Sequence, residues 1–280
     1  MAYQKPKKTP RTISMKTSIM FFILSLVINS LGNVLTLVSS SKVLPSFLGS
    51  AYWTATETNL GIAFHWNLFW AFLILGILTT ILNAILVGHW DWGRALGNVI
   101  FMVPFSFLIQ FFDNLFVGGD LFGFHMSPIV NIPVASAHAG DWWLIALYIL
   151  INFIGVAFIA IAISIYQRVN LVLHPADDLM QILRFKYFKG HAARAMWASY
   201  IPPTIMGVIA FIITRQFTYY GIGTIFAFLF QGNITGWADK MVFPHLKHQA
   251  VDIAEGDESI IAEEIDSDIE EHEEEKKIKQ

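Results

Sequence analysis

Apolar residues fill this chain in long uninterrupted stretches and not at alternating or heptad positions. Seven runs of 18 or more residues hold no Asp, Glu, Lys or Arg, at 17–41, 58–90, 95–112, 121–140, 142–167, 195–214 and 216–238. Such runs suit a bilayer, whose core offers backbone N–H and C=O groups no water, so that a helix must satisfy them internally. Helical spans are predicted at 17–40, 66–88, 95–116, 142–166, 194–214 and 219–238. The 121–140 run is read as a loop or shallow interfacial segment, because Gly123, Pro128, Pro133 and Gly140 interrupt it. The first run follows a basic stretch, as in a secretory signal, but its 25 uncharged residues are too many for one and no Ala-x-Ala site follows, so it reads as a retained span.

Composition agrees with immersion in lipid: 55% of residues are hydrophobic and 14% charged, against about a quarter charged in soluble proteins. The division expected is a basic N-terminus at 1–16, membrane repeats at 17–116 and 142–247, a loop at 117–141 between them, and an acidic tail at 248–280. Assigning successive loops to opposite sides puts 13 Lys and Arg of residues 1–247 on one side and only Lys42 and Arg215 on the other. By the positive-inside rule both termini are then cytoplasmic, in a multi-pass protein of the cell membrane. Residues 248–280 carry 13 acidic against 3 basic residues. The tail reads as solvated disorder, or as a helix that Ile261, Ile265 and Ile269 would form on a cytosolic partner. Nucleic acid is not an expected partner, since topology already accounts for the basic residues.

The two halves repeat one order of elements: a long span, a proline-opened short segment, a second span, and a third entered through glycine and a polar residue. Pro45 and Gly97-Asn98 mark the first half, Pro175 and Gly223-Thr224 the second. Three spans per half are an odd number, so the second copy enters the membrane inverted, as in many secondary transporters. The fold expected is an all-α polytopic membrane protein of six transmembrane helices in two inverted three-helix repeats, each with a short proline-initiated interfacial helix.

The second half, "ISIYQRVNLVLHPADDLMQIL" and then "YYGIGTIFAFLFQGNITGW", resembles the YczE/YyaS/YitT family of bacterial integral membrane proteins. The resemblance rests on Asn170, Leu171, Pro175 and Asp177, then Gly221, Ile222, Gly223 and Thr224, and departs at Val172 and His174. It implies a membrane protein described at most as a permease.

Polar groups within apolar runs need a reason, because a central charge costs about 2.5–3.5 kcal/mol on insertion scales. Glu57 either faces water on an interfacial helix or binds a proton, cation or amine. Asp177 and Asp178 follow Pro175, where carboxylates suit a helix N-terminus; the resemblance ranks Asp177 first. Asn33, Asn98, Asn152 and Thr224 are the candidates for a polar path between the repeats, with Glu57 and Asp177 at opposite entrances. Pro104 and Pro202-Pro203 each interrupt the hydrogen-bond ladder of their spans and can free backbone carbonyls.

No phosphate loop, nucleophile elbow or zinc helix occurs. His245 and His248 alone have ligand-like spacing and read as solvated, so no enzyme, metal site or cofactor is expected. The function expected is an ion-coupled permease or small-solute facilitator; the alternative is a membrane scaffold or regulator that recruits a cytosolic partner through its tail.

Overall fold

The structure is a computed structural model that describes residues 7–8, 11–43, 47–128, 136–138, 140–189, 192–249 and 252–253. Pro45 lies outside these residues, as does the tail beyond 253. Among the described residues five helical stretches are long and apolar enough to cross a membrane: Met15–Lys42, Leu68–Val87, Trp92–Val117, Trp142–Val169 and Arg194–Thr214. The first four are single helices, α1 (Met15–Lys42), α3 (Leu68–Val87), α4 (Trp92–Val117) and α5 (Trp142–Val169). Between α1 and α3 lies a shorter helix, α2 (Tyr52–Phe64).

Local chemistry sets the boundaries. Ser14 accepts the Thr17 N–H to cap α1, Asn67 accepts from Trp70 to cap α3, and Asp91 accepts from Gly93 and Arg94 to cap α4. Gly88, at φ 86°, ends α3 in the left-handed conformation that favours glycine. Pro104 lies inside α4 without ending it; a proline removes one rung of the hydrogen-bond ladder, and the helix runs on for three turns beyond.

The second half differs more from expectation. After α5 comes α6 (Pro175–Ile182), extended by a π-helical turn over Leu183–Tyr187. The 194–214 span is two helices, α7 (Ala192–Ser199) and α8 (Ile201–Thr214), broken at Tyr200 because Pro202 and Pro203 occupy the first turn of α8. A last helix, α9 (Ile222–Met241), occupies the sixth predicted position. It is not among the five span candidates, and Gln231, Asn233, Asp239 and Lys240 dilute its apolar character. The 121–140 run is not a helix in its described part: Gly119–Leu121 and Phe124–Met126 form an antiparallel hairpin.

Hydrogen bonds and ring contacts give the relative directions. Arg11 donates to the carbonyls of Val169 and Asn170, while Ala137 bonds Lys42, so α1 and α5 run antiparallel. Phe22 meets Phe101, which sets α1 beside α4 in parallel. Ser164 bonds Asp239 and Phe153 stacks on Phe226, so α5 and α9 are also parallel. α2 follows α8, with Tyr52 on Thr204, Thr56 on Pro203, and Leu60 clustered with Ala210. α6 follows α3 in the same sense, from Asn83 at Pro175 to Leu86 at Lys186.

α1 and α5 cross at two glycines. A Cβ on Gly32 would lie 2.7 Å from the Gly155 carbonyl oxygen, and one on Gly155 would lie 2.7 Å from that of Gly32. Small residues permit this close backbone approach, the main source of helix association in lipid. The outer faces carry exposed apolar side chains such as Ile85, Ile100, Ile205, Ile212, Ile225 and Leu229. In water such faces would be a liability; against acyl chains they are the expected surface. The chain is a membrane-embedded helical protein.

The packed body extends past the boundary expected at 247. Gln249 is fully buried, its N–H donating to the Arg168 carbonyl at 2.8 Å and its Oε1 accepting the Thr12 N–H at 2.7 Å. Asp252 and Ile253 pair with Lys8 and Lys7. Arg168, 2% exposed, donates to the carbonyls of Val242, Phe243 and Leu246 and so fastens the segment after α9.

The glycine crossing gives a direct test. Gly32→Ala or Gly155→Ala should lower the melting temperature of the purified protein, overpacking costing about 1–3 kcal/mol. Gly236→Ala, where nothing lies within 4 Å of the added Cβ, should not. Equal effects at all three positions would show that the crossing is not a tight contact.

Candidate functional site

Three polar groupings occupy the interior, and the predicted residues are divided among them. In the first, residues 47–50 lie across the start of α9. Ile222 N–H donates to the Phe47 carbonyl at 2.8 Å, Gly223 N–H donates to that of Leu48, and Ser50 N–H donates to Tyr219 at 2.8 Å. Carbonyls thereby occupy N–H groups that a helix start leaves open. Thr224 Oγ1 accepts from the Gly221 N–H and donates to the Ser50 carbonyl at 2.6 Å. Asn152 Nδ2 donates to the Gly49 carbonyl at 2.8 Å and to Ser39 Oγ at 3.1 Å. Gly221 and Gly223 are required by space, since a Cβ on either would collide with Phe47, Leu48 or Asn152. Asn152, Thr224, Gly221 and Gly223 therefore meet here, and most of their polar capacity goes into joining α1, α5 and α9.

The second grouping surrounds α2. Thr54 Oγ1 donates to Asn33 Oδ1, and Asn33 Nδ2 donates to Asn29 Oδ1 at 2.8 Å. Glu57 lies one turn beyond Thr54. It is 3% exposed, and no described residue gives its carboxylate a hydrogen bond or an ion pair. α2 starts beside the break between α7 and α8, with Tyr52 packed on Tyr200, and the fold around it encloses Glu57. Of the two sequence readings of Glu57, the solvent-facing one fails.

The third grouping surrounds α6. His174 caps this helix by accepting the Ala176 N–H on Nδ1 at 3.2 Å, which requires a neutral ring; burial among Phe101 and Phe105 lowers its pKa to about 3. Pro175 takes the first helical position, and Asn170 ends α5 in a left-handed conformation at φ 44°. Tyr166 OH donates to Asp177 Oδ2. Asp177 is half-buried, and desolvation raises its pKa from 3.8 to about 6 against the opposing Tyr166 bond. Asp178 takes the deeper position, 2% exposed. Its Oδ2 accepts from Asn98 at 3.1 Å and Asn83 at 3.4 Å, and its Oδ1 lies 3.6 Å from Arg94 Nε.

The structure places Asn152 and Thr224 at the 47–50 segment, Asn33 on Thr54 and Asn98 on α6, where it is Asp178 and not Asp177 that Asn98 meets. The reason is rotational. One residue turns about 100° around a helix axis, so of two adjacent carboxylates Asp178 faces α3 and α4 while Asp177 faces Tyr166 on α5. The sequence shows Asp178 beside Asp177 and a lone amide, Asn83, within the apolar run of α3; what it does not show is that Arg94 and Asn98 meet them. Among the described residues no three His, Asp or Glu side chains converge as metal ligands.

A family model described as a family of unknown function, DUF6198, matches residues 16–240, and the chain belongs to that family. The matched region covers the nine helices of the described residues bar the final residue of α9 and the first of α1. No curated protein and no solved structure matches the chain.

The raised pKa of Asp177 has a signed consequence. A carboxyl held above its unfolded value contributes stability that is full below the unfolded pKa and lost as pH rises through about 6. Asp177→Asn should therefore flatten the decline in melting temperature between pH 4 and pH 7 and leave the variant the more stable at neutral pH. A wild-type profile that the substitution leaves unchanged would contradict this assignment.

Proposed function

Because membership of that family assigns no activity, we propose from the geometry that the chain is an ion-coupled permease or small-solute facilitator of the cell membrane. The observation that carries this reading is Glu57, a buried carboxylate without a hydrogen-bond or ion-pair partner among the described residues. Enclosing such a group costs on the order of several kcal/mol, and no structural bond offsets it. A proton or cation that binds and leaves there supplies the missing interaction, as ionisable groups within membranes commonly do in transport.

The helix directions support the rest of the proposal. α1 pairs with α4 in the sense in which α5 pairs with α9, and α1 opposes α5. α2 follows α8 as α6 follows α3, so each half lends a short helix to the long span of the other. This exchange is what two inverted repeats produce, with α9 as the sixth span and the Arg11, Arg94 and Arg168 end cytoplasmic. The glycine pair would align the halves at an offset that makes Asn29 the counterpart of Asn152. The likeness to YczE/YyaS/YitT proteins belongs to the same proposal. Buried polar atoms with no protein partner, at Ser30, Ser106 and Asn152 Oδ1, favour a hydrated path over a dry core.

The test begins with a library of small solutes screened for thermal stabilisation of the purified protein. Stabilising solutes are then offered to proteoliposomes under an inward proton gradient. Wild type should accumulate solute, whereas Glu57→Gln should let it equilibrate without accumulation. A screen in which nothing stabilises the protein, or a Glu57→Gln variant that concentrates solute as wild type does, would overturn the reading.

A further inference from the structure

Gln249 and Arg11 fasten the segment after α9 to the start of α1 and the end of α5. At this end of the bundle the acidic side chains are engaged and several basic ones are not. Asp239 accepts from Ser164 at 2.6 Å and pairs with Arg168 at 3.4 Å; Asp91 caps α4, and Asp177 and Asp178 hold Tyr166, Asn98 and Arg94. Lys16 in the first turn of α1, Lys240 in the last turn of α9 and Lys247 beyond it are exposed. None of the three has a side-chain hydrogen bond or ion pair among the described residues. Packing brings their segments together. Phe21 meets Phe243 with ring centroids 4.9 Å apart, and Leu246 is buried with Ile13, Phe21 and Val242 against Ile165 and Val169. The lysines therefore surround one apolar cluster, forming a positive face with which no described carboxylate pairs.

The complementary charge is carried by this same chain. Residues 254–275, outside the described residues, hold 12 Asp and Glu and no Lys or Arg. The point from which they depart is beside the lysines: Asp252 and Ile253 pair with Lys8 and Lys7, within a few residues of Gln249 and Arg11. A single exposed ion pair is weak, but a segment tethered next to its partners meets them at an effective concentration on the order of millimolar. Anionic headgroups repel so dense a run of carboxylates, which favours the protein's own positive face over the surrounding bilayer. We propose that residues 254–275 dock across the junction of the two chain ends, with their carboxylates paired to Lys16, Lys240 and Lys247. Docked there, the acidic segment braces the start of α1 against the segment after α9. The contact is separate from Glu57, and it does not depend on whether the chain transports a solute.

The chain has no cysteine, so a nitroxide attached through Ser267→Cys reports the tail alone. In phosphatidylcholine nanodiscs the label on the full chain should be restricted at low salt and tumble freely at about 1 M salt, where the screening length falls to about 3 Å. Lys16→Glu, Lys240→Glu and Lys247→Glu together should free it at low salt, whereas Lys42→Glu, at the other end of α1, should not. Should the triple variant fail to fold, wild type decides the matter. A carbodiimide, which condenses an amine and a carboxylate into an amide, should join at least one of the three lysines to an acid of 255–275 within one chain, with or without phosphatidylglycerol in the nanodisc. A label equally mobile at both salts, one restricted only after a cytosolic extract is added, or restriction that survives the triple substitution would overturn the proposal. Crosslinks that are absent, that join separate copies, or that vanish with phosphatidylglycerol would do the same. None of these outcomes bears on Glu57, whose role is read by solute accumulation.

Discussion

The rest of the structure depends on the contact of α1 and α5 at Gly32 and Gly155. With a carbonyl of each helix at van der Waals distance from the other's Cα, the two axes are fixed to each other more closely than any larger side chains would allow. α4 attaches to α1 and α9 to α5, so the central pair sets the separation of the two outer spans. It also sets where Asn152 meets the 47–50 segment, because the asparagine lies one turn from the glycine crossing. Lipid provides no hydrophobic force to assemble helices, and close backbone packing takes its place.

Around this frame, polar groups divide into those that fasten and those that are left unfastened. Asn152, Thr224 and Arg168 spend their donors on backbone carbonyls of neighbouring segments and act as clasps. Among the described residues Glu57 and Asn83 Oδ1 have no hydrogen-bond partner. Native interiors leave few buried polar atoms unpaired, and the exceptions require a reason. Among the described residues they also include Ser30, Ser50, Ser106 and Asn152 Oδ1, on α1, the 47–50 segment, α4 and α5. Unpaired polar groups inside a membrane protein are tolerated only where protein or a wet cavity meets them.

The spans were legible in the sequence because a bilayer constrains composition over a whole run: α1, α3, α4 and α5 fall within a few residues of their expected positions. The break at Tyr200 goes further than the interrupted ladder expected of Pro202-Pro203, whereas Pro104 leaves α4 continuous; the pair sits at a helix start and Pro104 in mid-helix, a distinction made by packing. The directions of adjacent side chains were not legible. Asp177 and Asp178 differ by one residue, and only the positions of α3 and α4 decide which is drawn inward. Glu57 had two readings for the same reason, since the tilt of α2 against α8 determines whether its polar residues meet water. Gly32 and Gly155 went unremarked because a glycine within an apolar run carries no polar signal; its meaning comes from the helix opposite.

Gln249 joins the segment after α9 to Thr12 at the start of α1, and Arg11 reaches the end of α5 beside it. The described fold is in effect a closed ring, fastened near its two ends. During synthesis the N–H groups of Thr12 and Ile13 must wait for a partner made some 240 residues later, so this clasp cannot close until every described helix has been made. A ribosome stalled before that point would leave every span inserted and the ring still open, which makes closure of the ends a natural checkpoint for quality control.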